Sequence, residues 1–286
     1  MFYSNALINF PLLDFDKSIK NAGTFQSICR ECDGKIFQAY ESPNNYEGEP
    51  TPQMIAQIAM KNYLKAINKR LNEHAMFDIL NERVSESTKI IDYMKYIQMV
   101  DLNEYKHRFQ KAKRLSTKMW SGEYYVFYYE RLNYVVPIAF QSNISLIVDL
   151  EGKIVNDIYY KDPKYKLQDC HICVFPLKDS SVIMMFVDST YKRYRNFYKK
   201  FKKLSHEEKL AIVNYIIFLY SEDIFLSKKI PTEILKNKEL IDVAKQSSLA
   251  ISINPFMKVI EKAKEIYSLS KYKNIPNLLS PKYKLK

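Results

Sequence analysis

The chain has 286 residues and a formal charge of +12, from 44 Lys and Arg against 32 Asp and Glu. It holds only 5 Gly, which argues against a barrel or a turn-rich β-sandwich; neither G-x-G-x-x-G nor G-x-x-x-x-G-K occurs, which excludes a glycine-rich phosphate loop. The positive balance favours a polyanionic partner, either nucleic acid or an acidic membrane surface, against the plainer explanation of a coding bias toward Lys, Ile, Asn and Tyr.

Residues 1–50 read as loops and short strands. Within them Cys29-Arg30-Glu31-Cys32 runs into Asp33-Gly34-Lys35, a turn chemistry, and then into apolar Ile36 and Phe37. That order predicts a zinc knuckle, a tight turn that carries two thiolates and leads into a strand. Thr51-Pro52 then starts a helix, with Thr at the N-cap and Pro at the first helical position. Ala56, Met60, Leu64, Ile67, Leu71 and Ala75 follow at spacings of three and four, one apolar face reaching about residue 80. A second helix is expected from about Ser87 to Ala112. Its basic end (Lys106, Arg108, Lys111, Lys113, Arg114) suits a negative helix terminus without any nucleic acid.

From Glu123 the pattern changes to β-branched and aromatic runs: 124–129, 134–140, 144–150, 153–160, 170–176 and 182–187. Glu151-Gly152 predicts a hairpin between the third and fourth. Helical residues resume near Ser189 and continue, broken at Pro231 and Pro255, to about Ser268. The tail from Lys271 to Lys286 is expected to be loosely held. The segments are therefore a knuckle region (1–50), helices (51–118), a sheet (119–188), helices (189–270) and a basic tail (271–286), in one or two intimately packed domains. Helices, then sheet, then helices point to an α+β fold: an antiparallel sheet of five or six strands flanked by N-terminal and C-terminal helices. No window approaches 18 uninterrupted apolar residues, so no membrane span is expected. Four cysteines without an export signal point to a reducing, cytoplasmic setting.

All four cysteines fall in C-x-x-C pairs, Cys29 with Cys32 and Cys170 with Cys173. Two such pairs can complete one tetrahedral zinc site, and His171 offers an imidazole. Against this, positions i and i+3 of a strand point to opposite faces, which disfavours Cys170 and Cys173 as joint ligands. The segment 191–203 contains Lys192, Arg193, Arg195, Lys199, Lys200, Lys202 and Lys203 and no acidic residue. Its aromatics at 191, 194, 198 and 201 form one helical stripe suited to the core. The cations then lie elsewhere, where they can meet a phosphate backbone with little sequence reading, or simply water. Ser205 and Glu208 make a capping box. Glu222 and Asp223 follow an apolar helix; as paired carboxylates they are candidates for metal binding or acid–base work, and an exposed helix end explains them equally.

In order, Cys29, Asp33, Phe37 and Glu41, then Pro176, then Glu222, Asp223 and Ser227 resemble an uncharacterised bacterial family. Its members carry an N-terminal Cys-x-x-His-Asp followed by Phe and Glu, a strand pair entered by Pro, and a capped helix ending in Glu-Asn or Glu-Asp near a Ser. Here Cys32 stands where His is usual, an exchange that zinc tolerates. The family pattern has no Cys at 170 or 173. The resemblance implies no activity; the kind of family implies a role in phage defence. The sequence thus supports a nucleic-acid-associated protein, with metal-dependent nuclease activity as an expectation, or a non-catalytic module that binds a partner protein or senses a signal. No H-E-x-x-H or G-x-S-x-G occurs, so whether it is an enzyme stays open.

Overall fold

The structure, a computed structural model, describes residues 2–4, 28–83, 88–118, 120–160, 162, 164–221, 223–249 and 259–285. The chain forms two compact units, residues 25–124 and residues 1–24 with 125–286.

In the smaller unit, α1 (Arg30–Ile36) and α2 (Gln38–Glu41) lead through a 3-10 turn at Pro43–Tyr46 into α3 (Pro52–Arg83), which α4 (Thr88–Thr117) follows. The predicted strand after Cys32 is a helix instead. Cys29 is its N-cap, and its Sγ accepts the Cys32 N–H at 3.3 Å. The thiol thereby does what Ser or Asp does at other helix starts, and Gly34 is absorbed into the helix. Thr51 caps α3 as expected, its Oγ1 accepting the Met54 N–H at 3.2 Å. The two long helices run antiparallel: Ser116 reaches Met60, Asp101 reaches Arg70 and Lys95 reaches Asp78. The expected apolar face is buried at Ala56, Met60 and Ile67, whereas Leu71 is 48% exposed. Met54 to Met60 are buried all round, so the stripe matters less there than its periodicity suggests.

The larger unit carries the sheet, an α+β arrangement with the strand order β1 (Phe2–Ser4), β6 (Phe225–Ser227), β3 (Ile138–Ile144), β4 (Cys170–Pro176), β5 (Ser181–Asp188), β2 (Tyr124–Leu132). The pairings β1·β6, β6·β3, β3·β4 and β4·β5 are antiparallel. The Leu177 N–H donates to the Ser180 carbonyl at 2.8 Å and closes the β4–β5 hairpin. Every residue of β5 is buried, so both faces of the sheet are covered there. One face joins Ile172, Val174, Ile183, Met185 and Val187 to α5 (Arg195–Phe201) and α6 (His206–Tyr220) in one core. In α6 every residue from Leu210 to Leu219 is buried, and the Ser205–Glu208 capping box is present. Three shorter helices, α7 (Thr232–Leu235), α8 (Lys238–Leu249) and α9 (Val259–Ile266), complete the described helices. Pro231 precedes α7 as the expected break, and Pro255 lies outside the described residues.

Two expectations fail here. The strands 144–150 and 153–160 reduce to a single bridge, Val148 to Ile154, around a Gly152 turn with φ +76°. The cause lies in buried side chains that take the backbone partners a ladder would use. Asn156 Nδ2 donates to the carbonyls of Leu146 and Gln168, both at 2.8 Å, and its Oδ1 accepts the Gln168 N–H. The Tyr194 hydroxyl accepts the Leu146 N–H at 3.0 Å. Nor is the tail loose. Asn214 on α6 donates to the Pro276 carbonyl and accepts the Leu278 N–H, while Leu278 and Leu279 are fully buried. The Leu285 N–H then donates to the Val135 carbonyl at 2.8 Å. Burial of the two leucines outweighs the lysines on either side, Lys271, Lys273, Lys282 and Lys284, which stay exposed.

Candidate nucleic-acid interface

The basic segment folds as a 3-10 turn (Lys192–Tyr194) running into α5. Tyr194, Phe197 and Phe201 are fully buried, and Tyr191 and Tyr198 pack partly against the same core. Phe197 therefore belongs to the anchoring stripe, which the sequence reading had drawn through Tyr198. Phe197 stacks on Phe201 and meets Phe127 edge-on. Such aromatic contacts fix the rotation of a helix about its axis.

That rotation sorts the seven predicted cations into two groups. Lys200 pairs with Glu151, and this contact, with a smaller one from Lys153, holds the Glu151 carboxyl below its usual range. Lys202 donates to the Tyr125 hydroxyl at 2.5 Å and lies over that ring. Arg193 donates through Nη2 to the Lys166 carbonyl, and its guanidinium lies 4.3 Å from the Tyr165 ring centroid. Lys192, Arg195, Lys199 and Lys203 are exposed and make no side-chain hydrogen bond or ion pair among the described residues. Arg195 and Lys199, four apart on α5, lie on its side away from Phe197 and Phe201, with Lys192 in the 3-10 turn before the helix and Lys203 in the turn after it.

The loop beside α5 is held to it. Asp149 accepts from the Asn196 amide and from the N–H groups of Glu151 and Lys153. Tyr194 and Asn156 fix Leu146 and Gln168 as described above, and the Tyr194 hydroxyl also donates to the Ile144 carbonyl. The same loop presents an aromatic pair that the sequence reading missed. Tyr160 and Tyr165 have centroids 4.8 Å apart, and Tyr160 is 57% exposed. Reading 153–160 as a strand hid the pair; the usable signal was Asp-Pro at 162 and 163, which favours a turn between the two tyrosines.

The other predicted ligands of this unit lie on β4. Cys170 and Cys173 are buried on opposite faces of β4: Cys170 faces the core with Ile172 and Val174, and Cys173 sits opposite Met184 in the register. Burial pushes both thiols up, Cys170 with help from Asp169. His171 is buried and stacked on Phe186 at 4.5 Å. β4 therefore supplies no thiolate pair. Cys29 and Cys32, in the other unit, are exposed; the Cys32 thiol and N–H hold the Cys29 thiol below its ordinary value, and Cys29 in turn pushes the Cys32 thiol up. Two thiols make half a tetrahedral zinc set, and among the described residues no three His, Cys, Asp or Glu side chains gather as a metal site.

The residues that carry the family resemblance do converge in part. Lys61 Nζ donates to Asp33 at 2.5 Å and to Glu41 at 2.9 Å and lies 4.4 Å from the Phe37 ring centroid. The spacing of four from Cys29 through Asp33 and Phe37 to Glu41 sets them along one side of α1 and α2. Partly exposed pairs of this kind are worth ~0–1 kcal/mol, so the cluster mainly sets local geometry. Asp223 is described, its N–H donating to Ser221 Oγ at 3.1 Å, whereas Glu222 lies outside the described residues. No helix among the described residues is long and apolar enough to cross a membrane. No family model, no curated protein and no solved structure matches this chain.

Proposed function

We propose that this protein binds nucleic acid through the outer face of α5, with the sugar–phosphate backbone as the recognised feature. The observation that carries the reading is the group of Lys192, Arg195, Lys199 and Lys203, four exposed cations without partners among the described residues, on α5 and the turns that flank it, whose other side is locked in the core. A solvated basic face would serve as well if its charges were neutralised by neighbouring acids. Here the acidic neighbour, Glu151, is occupied by Lys200 and Lys153. A flexible side chain on a rigid helix meets a phosphate without reordering the protein, so charge converts efficiently into affinity. Sequence reading by this face is expected to be slight, because phosphate contacts carry no base information.

The test is fluorescence anisotropy of a labelled oligonucleotide across a salt series. Four phosphate contacts predict a slope of about −3.6 in log K against log salt for duplex, or roughly a 150-fold loss from 50 to 200 mM. Changing Lys192, Arg195, Lys199 and Lys203 together to Gln should remove nearly all of that slope. Lys200→Gln, a change at a paired lysine, should move it little. An unchanged slope in the fourfold variant would take nucleic acid away from this helix.

A further inference from the structure

We infer that Tyr160, backed by Tyr165 and Arg193, is a base-stacking platform that gives the basic face a preference for single-stranded nucleic acid. The inference rests on the reading of α5 as a backbone-binding face and adds the class of strand it prefers.

Three observations carry it. The first is exposure: Tyr160 leaves 57% of its surface in water although its ring already contacts another aromatic. A lone exposed tyrosine needs no explanation, but this one belongs to an ordered group. The second is preorganisation. The Tyr165 hydroxyl accepts the Asp157 N–H at 2.8 Å, the Tyr165 N–H donates to the Asp162 carbonyl at 2.9 Å, and the Tyr160 N–H donates to the Asp157 carbonyl at 3.3 Å. Arg193 is tied by its N–H to Gln168 at 3.1 Å and by Nη2 to Lys166 while it covers Tyr165. A ring held this way loses little freedom when a base lands on its neighbour. The third is position. Arg193 lies between Lys192 and Arg195 in the chain, so the aromatic group adjoins the N-terminal end of these cations.

Asp157 and Asp162 sit in the loop, with Asp157 Oδ1 accepting the Tyr159 N–H at 2.9 Å and Asp162 Oδ1 accepting the Lys164 N–H at 2.8 Å. The same stretch carries Lys164 and Lys166, both exposed, so the loop is not repulsive to a phosphate and a strand can meet these cations and α5 with its backbone while a base lands on Tyr160. In a duplex the bases are paired and stacked on one another, so only an unpaired strand offers both features at once. Arg193 over Tyr165 holds that ring by a cation–π contact and so steadies the partner on which Tyr160 leans.

The experiment compares a labelled oligothymidine with a duplex of equal length, in the wild type, Tyr160→Ala and Tyr160→Phe. Tyr160→Ala should weaken binding of the single strand by about tenfold, within the range for one base stacked on an aromatic ring, and leave duplex affinity and salt slope unchanged. Tyr160→Phe, which keeps the ring, should retain wild-type preference. Thermal melting of both variants confirms that the fold is intact. A Tyr160→Ala protein with an unaltered ratio of single-strand to duplex affinity would overturn the platform and leave the basic-face reading standing. Equal losses on both strands would overturn it too. A wild type that binds neither would overturn both.

Discussion

Removing one oxygen from Tyr194 tests the account of how the loop 144–168 is built. The hydroxyl is fully buried and accepts the Leu146 N–H at 3.0 Å, while its own proton faces the carbonyls of Ile144 and Gln168, each at 3.1 Å. In Tyr194→Phe the ring keeps its packing, including the edge contact with Phe197. Gln168 retains the Asn156 amide as a donor. The Leu146 N–H is left buried without an acceptor, and Ile144 loses a donor. An orphaned buried amide costs about 1–3 kcal/mol and the lost bond adds to it, so the expected destabilisation is about 2–3 kcal/mol. For a unit of this size each kcal/mol moves the midpoint by about 2–4 °C, which predicts a fall in Tm of roughly 4–12 °C. Hydrogen exchange localises the effect: the Leu146 amide should lose protection before the amides of β4 and β5. A Tm within 1 °C of wild type, with Leu146 still protected, would refute the idea that Tyr194 and Asn156 replace a strand ladder in this loop.

Two further outcomes follow from burial. In native protein Cys29 should react quickly with a thiol reagent, Cys32, whose thiol Cys29 pushes up, more slowly, and Cys170 and Cys173 only after unfolding; because the Cys29 pKa is lowered, its labelling should persist below the ordinary thiol value of about 8.5. Zinc held by the exposed pair would make that labelling depend on a chelator, and four fast thiols would contradict the burial of β4. Asn214→Ala removes both hydrogen bonds to the 276–278 segment; it should cost about 2 kcal/mol and expose the tail lysines to trypsin, and an unchanged digest would show that Leu278 and Leu279 hold the tail by themselves.

What could be read from the sequence depended on whether one local rule decided the outcome. The strands β4 and β5 were legible because both are apolar at nearly every position and a short polar stretch separates them. The capped starts of α3 and α6 were legible because a cap is a contact between residues three apart. The loop 144–160 has equal β-propensity but bends away from a ladder, since Asn156 and Tyr194 reach its backbone from 10 to 50 positions away along the chain. No window of sequence contains both ends of such a contact. The three-residue β6 fails for the same reason: its pairing with β3 and β1 is wholly non-local.

The cysteines and the cations show the same division at the level of chemistry. Residue type and spacing drew attention to Cys29 and Cys32, but the expected strand after them is a helix that Cys29 caps, its sulfur accepting the Cys32 N–H. Likewise, seven cations in thirteen residues announce a charged segment without saying which charges remain available. That depends on where the helix is rotated, and rotation is set by Phe197 and Phe201 against Phe127. Once α5 is fixed, Lys200 reaches Glu151 and Lys202 reaches Tyr125, while Lys192, Arg195, Lys199 and Lys203 point away from both. A change that rotates α5 should therefore alter binding without touching a single basic residue. Phe197→Ala, which empties a fully buried site on the anchoring face, is the substitution that reaches the interface from inside the core.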